Sequence, residues 1–220
     1  MASPTWCIES PRLTISHLLP ESDAHCDFMV SLYNTPEFIA SIGGSPTDIT
    51  TREAARKHLA GRVRETHDRF GHGIYLVSLK AGQGETRENE NPLERAIPIG
   101  IVSLVRGTDP DPEKSYPVPD LGFAMLTEHM RKGYTKEACQ RILRYADEEL
   151  GLQQVLGLHN PDNEASYAVF KSLGFKDQGL RVLKVFGGVV GQVWTMADVD
   201  GDKLSVYGLP DEVASLGAES

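Results

Sequence analysis

Apolar and polar residues alternate from Arg12 to His17, the two-residue period of a strand. The spacing changes at Asp23. From there to Tyr33 the residues Phe28, Met29 and Leu32 recur at helical intervals, and Asn34-Thr35-Pro36 ends the run. Gly43-Gly44-Ser45-Pro46 reads as a loop. Thr50 with Glu53 forms a capping box, which predicts a helix to about His67, ahead of Gly71-His72-Gly73. Ile74–Leu79 and Ile97–Val105 read as strands. Between them, Ala81 to Arg95 is rich in Gly, Glu and Asn and is predicted to be a mobile hairpin loop. Gly107 to Pro119 carries Pro110, Pro112, Pro117 and Pro119, so it is not a helix. Asp120 to Leu126 is the fourth predicted strand, with Leu121, Phe123 and Met125 alternating against smaller residues.

Beyond Gly133, Ala138, Ile142, Ala146 and Leu150 stand four residues apart and predict an amphipathic helix that Gly151 ends. Val155–Leu158 is the fifth predicted strand. Asp162 or Asn163 caps a helix with Ala165, Val169 and Leu173 on its apolar face, closed by Gly174. Val182–Phe186 and Gln192–Met196 are predicted to pair as a hairpin around Gly187-Gly188. The order β-α-α-β-β-β-α-β-α-β-β lacks the strict alternation of a doubly wound sheet and predicts a mixed α/β (α+β) fold, a sheet flanked by helices. Residues 1–11 are assigned to an N-terminal extension, 12–197 to one domain and 198–220 to a polar, peripheral tail.

Composition narrows the partners. The 220 residues suit one domain, and 24% charged with 40% hydrophobic residues is a soluble globular profile. A net charge of -9 argues against nucleic acid held on a broad basic face and is compatible with an amine substrate. Cys7, Cys26 and Cys139 are isolated, so neither a disulfide framework nor a metal site is suggested. No secretory signal and no membrane-length apolar stretch is seen, and the expected location is cytoplasmic, with no membrane partner.

Chemistry concentrates between Asp120 and Phe175. A strand, a short turn, Gly133 and a helix start come in that order, with Arg131 and Lys132 alongside. Unpaired amides at a helix start attract phosphate, and glycine lets the backbone approach it. The same pattern also describes a surface turn with two solvated cations. A second strand end runs into a helix start over His159-Asn160-Pro161-Asp162-Asn163-Glu164-Ala165-Ser166. Asn163 is read as the cap there.

Leu121-Gly122-Phe123-Ala124-Met125-Leu126, Arg131-Lys132-Gly133-Tyr134-Thr135-Lys136-Glu137-Ala138, Asn160-Pro161-Asp162-Asn163-Glu164-Ala165-Ser166 and Ser172-Leu173-Gly174-Phe175 together resemble the GNAT N-acetyltransferase superfamily. Within it, the chain is most similar to the ribosomal-protein-alanine acetyltransferases. Arg12-Leu13-Thr14-Ile15, Pro20-Glu21-Ser22-Asp23-Ala24 and Asn34-Thr35-Pro36-Glu37 agree, so the resemblance spans Arg12 to Met196. It implies a sheet flanked by about four helices and splayed between the fourth and fifth strands, with acetyl-CoA between them and no metal. The pantetheine arm would pair with backbone near Met125 and Leu126. The pyrophosphate would sit on the amides of Arg131, Lys132, Gly133, Tyr134 and Thr135, and Asn163 would touch the pantetheine or diphosphate. The loop departs from the family pattern at Met130 and Thr135, and Arg131 stands where glycine is frequent.

The implied reaction is acetyl transfer to a primary amine, on a small molecule or a peptide N-terminus, by direct attack in a ternary complex. The family's usual tyrosine acid is Phe170 here. Ser166 matches the serine implied for the subgroup, or it bonds the backbone at the helix start. Asp120 is the candidate base, or a solvated strand-end carboxylate. His159 has a suitable pKa, or is structural. A diverged, non-catalytic acyl-CoA-binding or interaction protein is the alternative, favoured by Met130, Thr135 and Phe170. The oligomeric state, monomer or homodimer, is open.

Overall fold

A strand that the hydrophobic pattern does not predict, Cys7–Glu9 (β1), pairs antiparallel with Leu13–His17 (β2), Cys7 opposite Ser16 and Glu9 opposite Thr14. Part of the expected N-terminal extension thus forms a strand. Three residues are too few to show a period, and Pro11 breaks the run. The computed structural model describes residues 6–80, 95–107, 116–196 and 201–215. All but one residue of the expected loop at 81–95, and most of that at 107–119, lie outside them. The chain divides into two units, 1–103 with 123–151 and 104–122 with 152–220.

In the first unit β2 pairs with β3 (Ile74–Leu79), Leu13 opposite Leu79 and Ile15 opposite Val77. β3 pairs with β4 (Ile97–Val105), Leu76 opposite Ile101. The end of β5 (Asp120–Met125) lies beside β4, where the Leu126 amide donates to the Ile99 carbonyl at 2.8 Å. A Cβ on Gly100 would stand 2.5 Å from the Ala124 carbonyl oxygen and would also collide with the Met125 sulfur, so glycine permits this approach.

The helices of this unit start at identifiable caps. α1 (Asp23–Tyr33) is capped by Ser22, which accepts from the His25 amide, and it buries Cys26, Met29 and Leu32. Each such cap contributes about 1 kcal/mol. Asn34 then bonds the carbonyls of Val30 and Ile49. Pro36, expected only to stop α1, opens α2 (Pro36–Ser41) behind a Thr35 cap, because its missing N–H is no loss at a first helical position. The next cap is Thr51, not Thr50: its hydroxyl accepts from the Ala54 amide, so the expected Thr50–Glu53 box is one residue out. α3 (Arg52–His58) passes through a π turn at Leu59–Val63 into α4 (Arg64–Phe70). Met29, Leu32, Leu59, Val63, Leu76 and Ile101 share one core with these helices. α5 (Tyr134–Glu148) buries Ala138, Cys139, Ile142 and Ala146 and packs on β1 and β2.

In the second unit β6 (Leu156–His159) runs parallel to the start of β5, Asp120 opposite Leu156, and antiparallel to β8 (Val189–Thr195). β8 pairs with β7 (Lys176–Leu183). α6 (Glu164–Leu173) packs on β6. One parallel pair among antiparallel ones makes the fold mixed α/β, as expected. Two expectations are corrected. The strand placed at Val182–Phe186 ends at Leu183, because Lys184–Phe186 turns as a 3-10 segment into Gly187 at φ 79°. The tail is not peripheral: Leu204 and Leu209 are buried with Tyr116, Leu156, Leu183 and Val193. The Ala214 amide donates to Leu180, and the buried Arg181 donates to the Pro210 carbonyl. The few apolar residues of this segment carry no period, which is why its polar composition misleads.

Candidate functional site

Ser22, Thr35, Thr51 and Asn163 each cap a helix with a side chain, whereas α5 begins without one. Its N-cap, Gly133, is left-handed at φ 80° and makes no side-chain cap bond. Arg131 is also left-handed, at φ 58°, where a side chain costs about 1 kcal/mol or more. Among the described residues the amides of Arg131, Lys132, Gly133, Tyr134, Thr135 and Lys136 have no partner; the first paired one is Glu137, which donates to the Gly133 carbonyl at 3.2 Å. A run of free amides through two left-handed residues into a helix N-terminus is the kind of donor set that suits an anion. The side chains of Arg131 and Lys132 add positive charge. The departures at Met130 and Thr135 leave the amides in place, since such a donor set is built from backbone.

The two residues ahead of this loop differ from each other. The Leu126 amide donates to Ile99 and its carbonyl accepts from His129 at 2.9 Å. The amide is therefore engaged, and the carbonyl keeps a second lone pair for a ligand donor. Strand alternation turns the N–H and C=O of Met125 to the edge opposite β4. The Met125 side chain itself is buried, 3% exposed.

In the second unit, Asn163 caps α6. Its Oδ1 accepts from the Ser166 amide at 2.9 Å, so both readings of this residue, cap and motif, fall on one side chain. The Ser166 hydroxyl is half-buried and makes no hydrogen bond to a described residue. Phe170, on the next turn, is 1% exposed and stacks with Trp194 and His159. The close approach of Gly157 makes room for its ring, since a Cβ there would overlap it.

His159 is held at both nitrogens. Nδ1 lies 2.7 Å from the Asn160 carbonyl, and Nε2 accepts from the Trp194 indole at 2.9 Å. An accepting Nε2 requires the proton on Nδ1, and burial holds the ring pKa below its usual value. Both ring nitrogens of His159, a candidate for proton transfer, are thus engaged within the protein.

Asp120 is only partly covered, yet protein atoms crowd its carboxyl. Desolvation pushes its pKa up to about 7, against a weaker opposing bond from its own amide. A carboxyl that titrates near neutrality can accept a proton at working pH. Tyr116, buried in the same unit, is pushed up to about 12 and cannot do so. No periodicity or motif in the sequence signals the Asp120 shift or the Trp194 bond; both arise from packing.

Residues 12–176 match the family model described as the acetyltransferase (GNAT) domain. The chain belongs to the GNAT family. Among curated relatives, the uncharacterized N-acetyltransferase YnaD of Bacillus subtilis is 33% identical over 60 residues, 27% of this chain and 35% of that protein. The match thus spans about a third of the relative's length. Among solved GNAT structures, the ribosomal-protein-S5-alanine acetyltransferase of Vibrio fischeri superposes with a TM-score of 0.62 at 17% identity, covering 89% of this chain and 98% of the other. The Microcin C7 self immunity acetyltransferase MccE, solved in complex with acetyl-CoA and AMP, gives 0.62 at 13% identity over 88% and 97%. These two likenesses show the fold. Among the described residues no group of three or more His, Cys, Asp or Glu is placed to hold a metal, and no helix is long and apolar enough to cross a membrane.

Proposed function

We propose that this GNAT protein is an acetyl-CoA-dependent N-acetyltransferase that transfers the acetyl group directly to a primary amine. The observation that carries the reading is the uncapped start of α5: six consecutive amides without a partner, with Arg131 and Lys132 beside them, form a donor set suited to the pyrophosphate of coenzyme A. The N–H and C=O of Met125, turned away from β4, would pair with the amide-bearing pantetheine arm. MccE, of the same fold, carries acetyl-CoA in its complex.

Direct transfer needs an amine freed of its proton and a leaving sulfur that receives one. Asp120, with a pKa of about 7, takes the amine proton directly or through water. The Ser166 hydroxyl donates to the departing thiolate. No covalent enzyme intermediate is needed. His159 fixes the end of β6 ahead of Asn163 and moves no proton. Phe170 is buried against Trp194 and has no proton to give, so the acid falls to Ser166 in this reading.

Calorimetric titration with acetyl-CoA, CoA and pantetheine, followed by an acceptor screen over polyamines, amino acids and peptide N-termini, tests the reading. Micromolar binding that needs the nucleotide part, and a Ser166→Ala variant that keeps this affinity but turns over more slowly, are expected. Unchanged turnover in that variant would remove Ser166 as the acid, and absence of CoA binding would remove the activity.

A further inference from the structure

Arg12 precedes β2, yet most of its contacts are with the loop and first turn of α5. Its backbone amide and Nε both donate to Glu137, at 2.8 and 2.6 Å, and Ser10 Oγ donates to the same carboxylate at 2.7 Å. Its Nη1 donates to the Lys132 carbonyl at 3.0 Å. Its guanidinium carbon lies 4.6 Å above the Tyr134 ring, and its Nη2 is 3.4 Å from where a Cβ of Gly133 would stand. Glu137 is the anchor. Burial alone would raise its carboxyl, but the bonds from Ser10 and Arg12 outweigh burial and hold its pKa below the usual range.

The peptide between Lys132 and Gly133 sits between two left-handed residues, Arg131 and Gly133, in a segment without helical or strand bonds. In a planar trans peptide the carbonyl and the following amide point in opposite directions. Holding the Lys132 carbonyl from one side therefore aims the Gly133 amide to the other. It also keeps the negative end of that peptide dipole away from an approaching anion. A planar guanidinium can bond a carboxylate, bond a carbonyl and stack on a ring at once; an ammonium cannot.

We propose that Arg12, anchored by Glu137, is a positioning residue that sets the Lys132–Gly133 peptide so that the Gly133 amide faces a bound diphosphate. The proposal rests on the reading that this loop takes the pyrophosphate of coenzyme A. Arg12 acts through the loop rather than as a ligand, so its loss affects only ligands that carry the diphosphate.

The test compares the Kd of CoA with that of pantetheine, which lacks the diphosphate, for the wild type, Arg12→Gln, Arg12→Lys and Glu137→Gln, with a melting temperature for each. Arg12→Gln is expected to weaken CoA about 10-fold, the scale of one charge-assisted hydrogen bond, and to leave pantetheine unchanged. Arg12→Lys is expected not to restore CoA binding. Glu137→Gln, which keeps the cation but loosens its anchor, is expected to show a smaller loss of the same selective kind, and it carries the test if Arg12→Gln does not fold. A wild type that binds CoA no better than pantetheine overturns the pyrophosphate reading and this proposal with it. A wild type that prefers CoA, with variants that keep the preference, overturns the role of Arg12 alone. Full recovery in Arg12→Lys also overturns it, because charge without the fork would then suffice.

Discussion

The indole N–H of Trp194 donates to Nε2 of His159 at 2.9 Å, and this one bond decides what His159 can do. It fixes the tautomer and removes the nitrogen that would otherwise exchange protons. Trp194→Phe leaves Nε2 unpaired beside a largely buried ring stack, at a cost of about 1–3 kcal/mol, read as a lower melting temperature. His159→Ala should lower stability similarly while leaving the shape of the pH–rate profile intact. Loss of a limb of that profile in His159→Ala would return His159 to the chemistry.

Asp120 should own the ascending limb of kcat/KM, with a midpoint near its folded pKa of about 7. Asp120→Asn should abolish that limb and lower turnover by about 10²–10⁴-fold, the usual range for a lost general base. The linkage has the opposite sign from activity. The carboxyl titrates at about 3.8 unfolded and about 7 folded, so the stability it contributes is full below 3.8 and is lost as pH rises through 7. Asp120→Asn should therefore melt above the wild type at pH 8, with less advantage at pH 5. A variant no more stable than the wild type at pH 8 would mean that Asp120 is solvated.

Gly133 and Gly151 separate backbone strain from ligand approach. Both are left-handed, at φ 80° and 65°; a Cβ on Gly133 meets only Arg12 Nη2 at 3.4 Å, and one on Gly151 meets nothing within 4 Å. Alanine at either position costs about 1–2 kcal/mol of backbone strain. Gly133→Ala should also weaken CoA about 10-fold, since the loop either relaxes or presents a methyl group to the diphosphate. Gly151→Ala should leave CoA affinity unchanged. Equal affinities in both variants would move the diphosphate away from the α5 start.

These cases mark what the residue pattern carried. α1 was predicted at its observed ends, Asp23 and Tyr33, because the apolar spacing of Phe28, Met29 and Leu32 and the stop at Asn34-Thr35-Pro36 are local signals. Asn163 and Gly133 were legible for the same reason: a cap and a left-handed turn depend on near neighbours. Arg131 was visible as a cation beside the turn and as a departure from the family's frequent glycine, and its φ of 58° gives that departure a physical meaning. β1 was missed because its three residues show no period, and the tail residues Leu204 and Leu209 because they are ordered by distant partners. The Asp120 shift, the Trp194–His159 bond and the Arg12–Lys132 bond join residues far apart in sequence, where periodicity has no reach.

His17 makes the fold sensitive to acid. Its ring centroid lies 4.5 Å from that of Trp6, 4.9 Å from His67 and 5.7 Å from Tyr75, and its Nδ1 is buried with no hydrogen-bond partner in the described structure. Burial, with His67 nearby, pushes its pKa from 6.5 down to about 4. Burial also lowers the pKa of His25, His58 and His67 in the same unit. The folded state therefore prefers these rings neutral. Their contribution is full above the unfolded value of 6.5 and is lost as pH falls through the folded values, about 4 for His17. The histidine contribution to the melting temperature should be flat above pH 7 and fall between pH 6.5 and 4, against the opposite trend set by Asp120. His17→Phe keeps an aromatic ring against Trp6 and Tyr75 but binds no proton, so it should flatten part of that fall. If its melting temperature drops as steeply as the wild type's over the same window, protonation of His17 is not what loosens the fold, and the other groups with lowered pKa, among them His25, His58, His67, His159, Asp27 and Glu137, account for the acid limb.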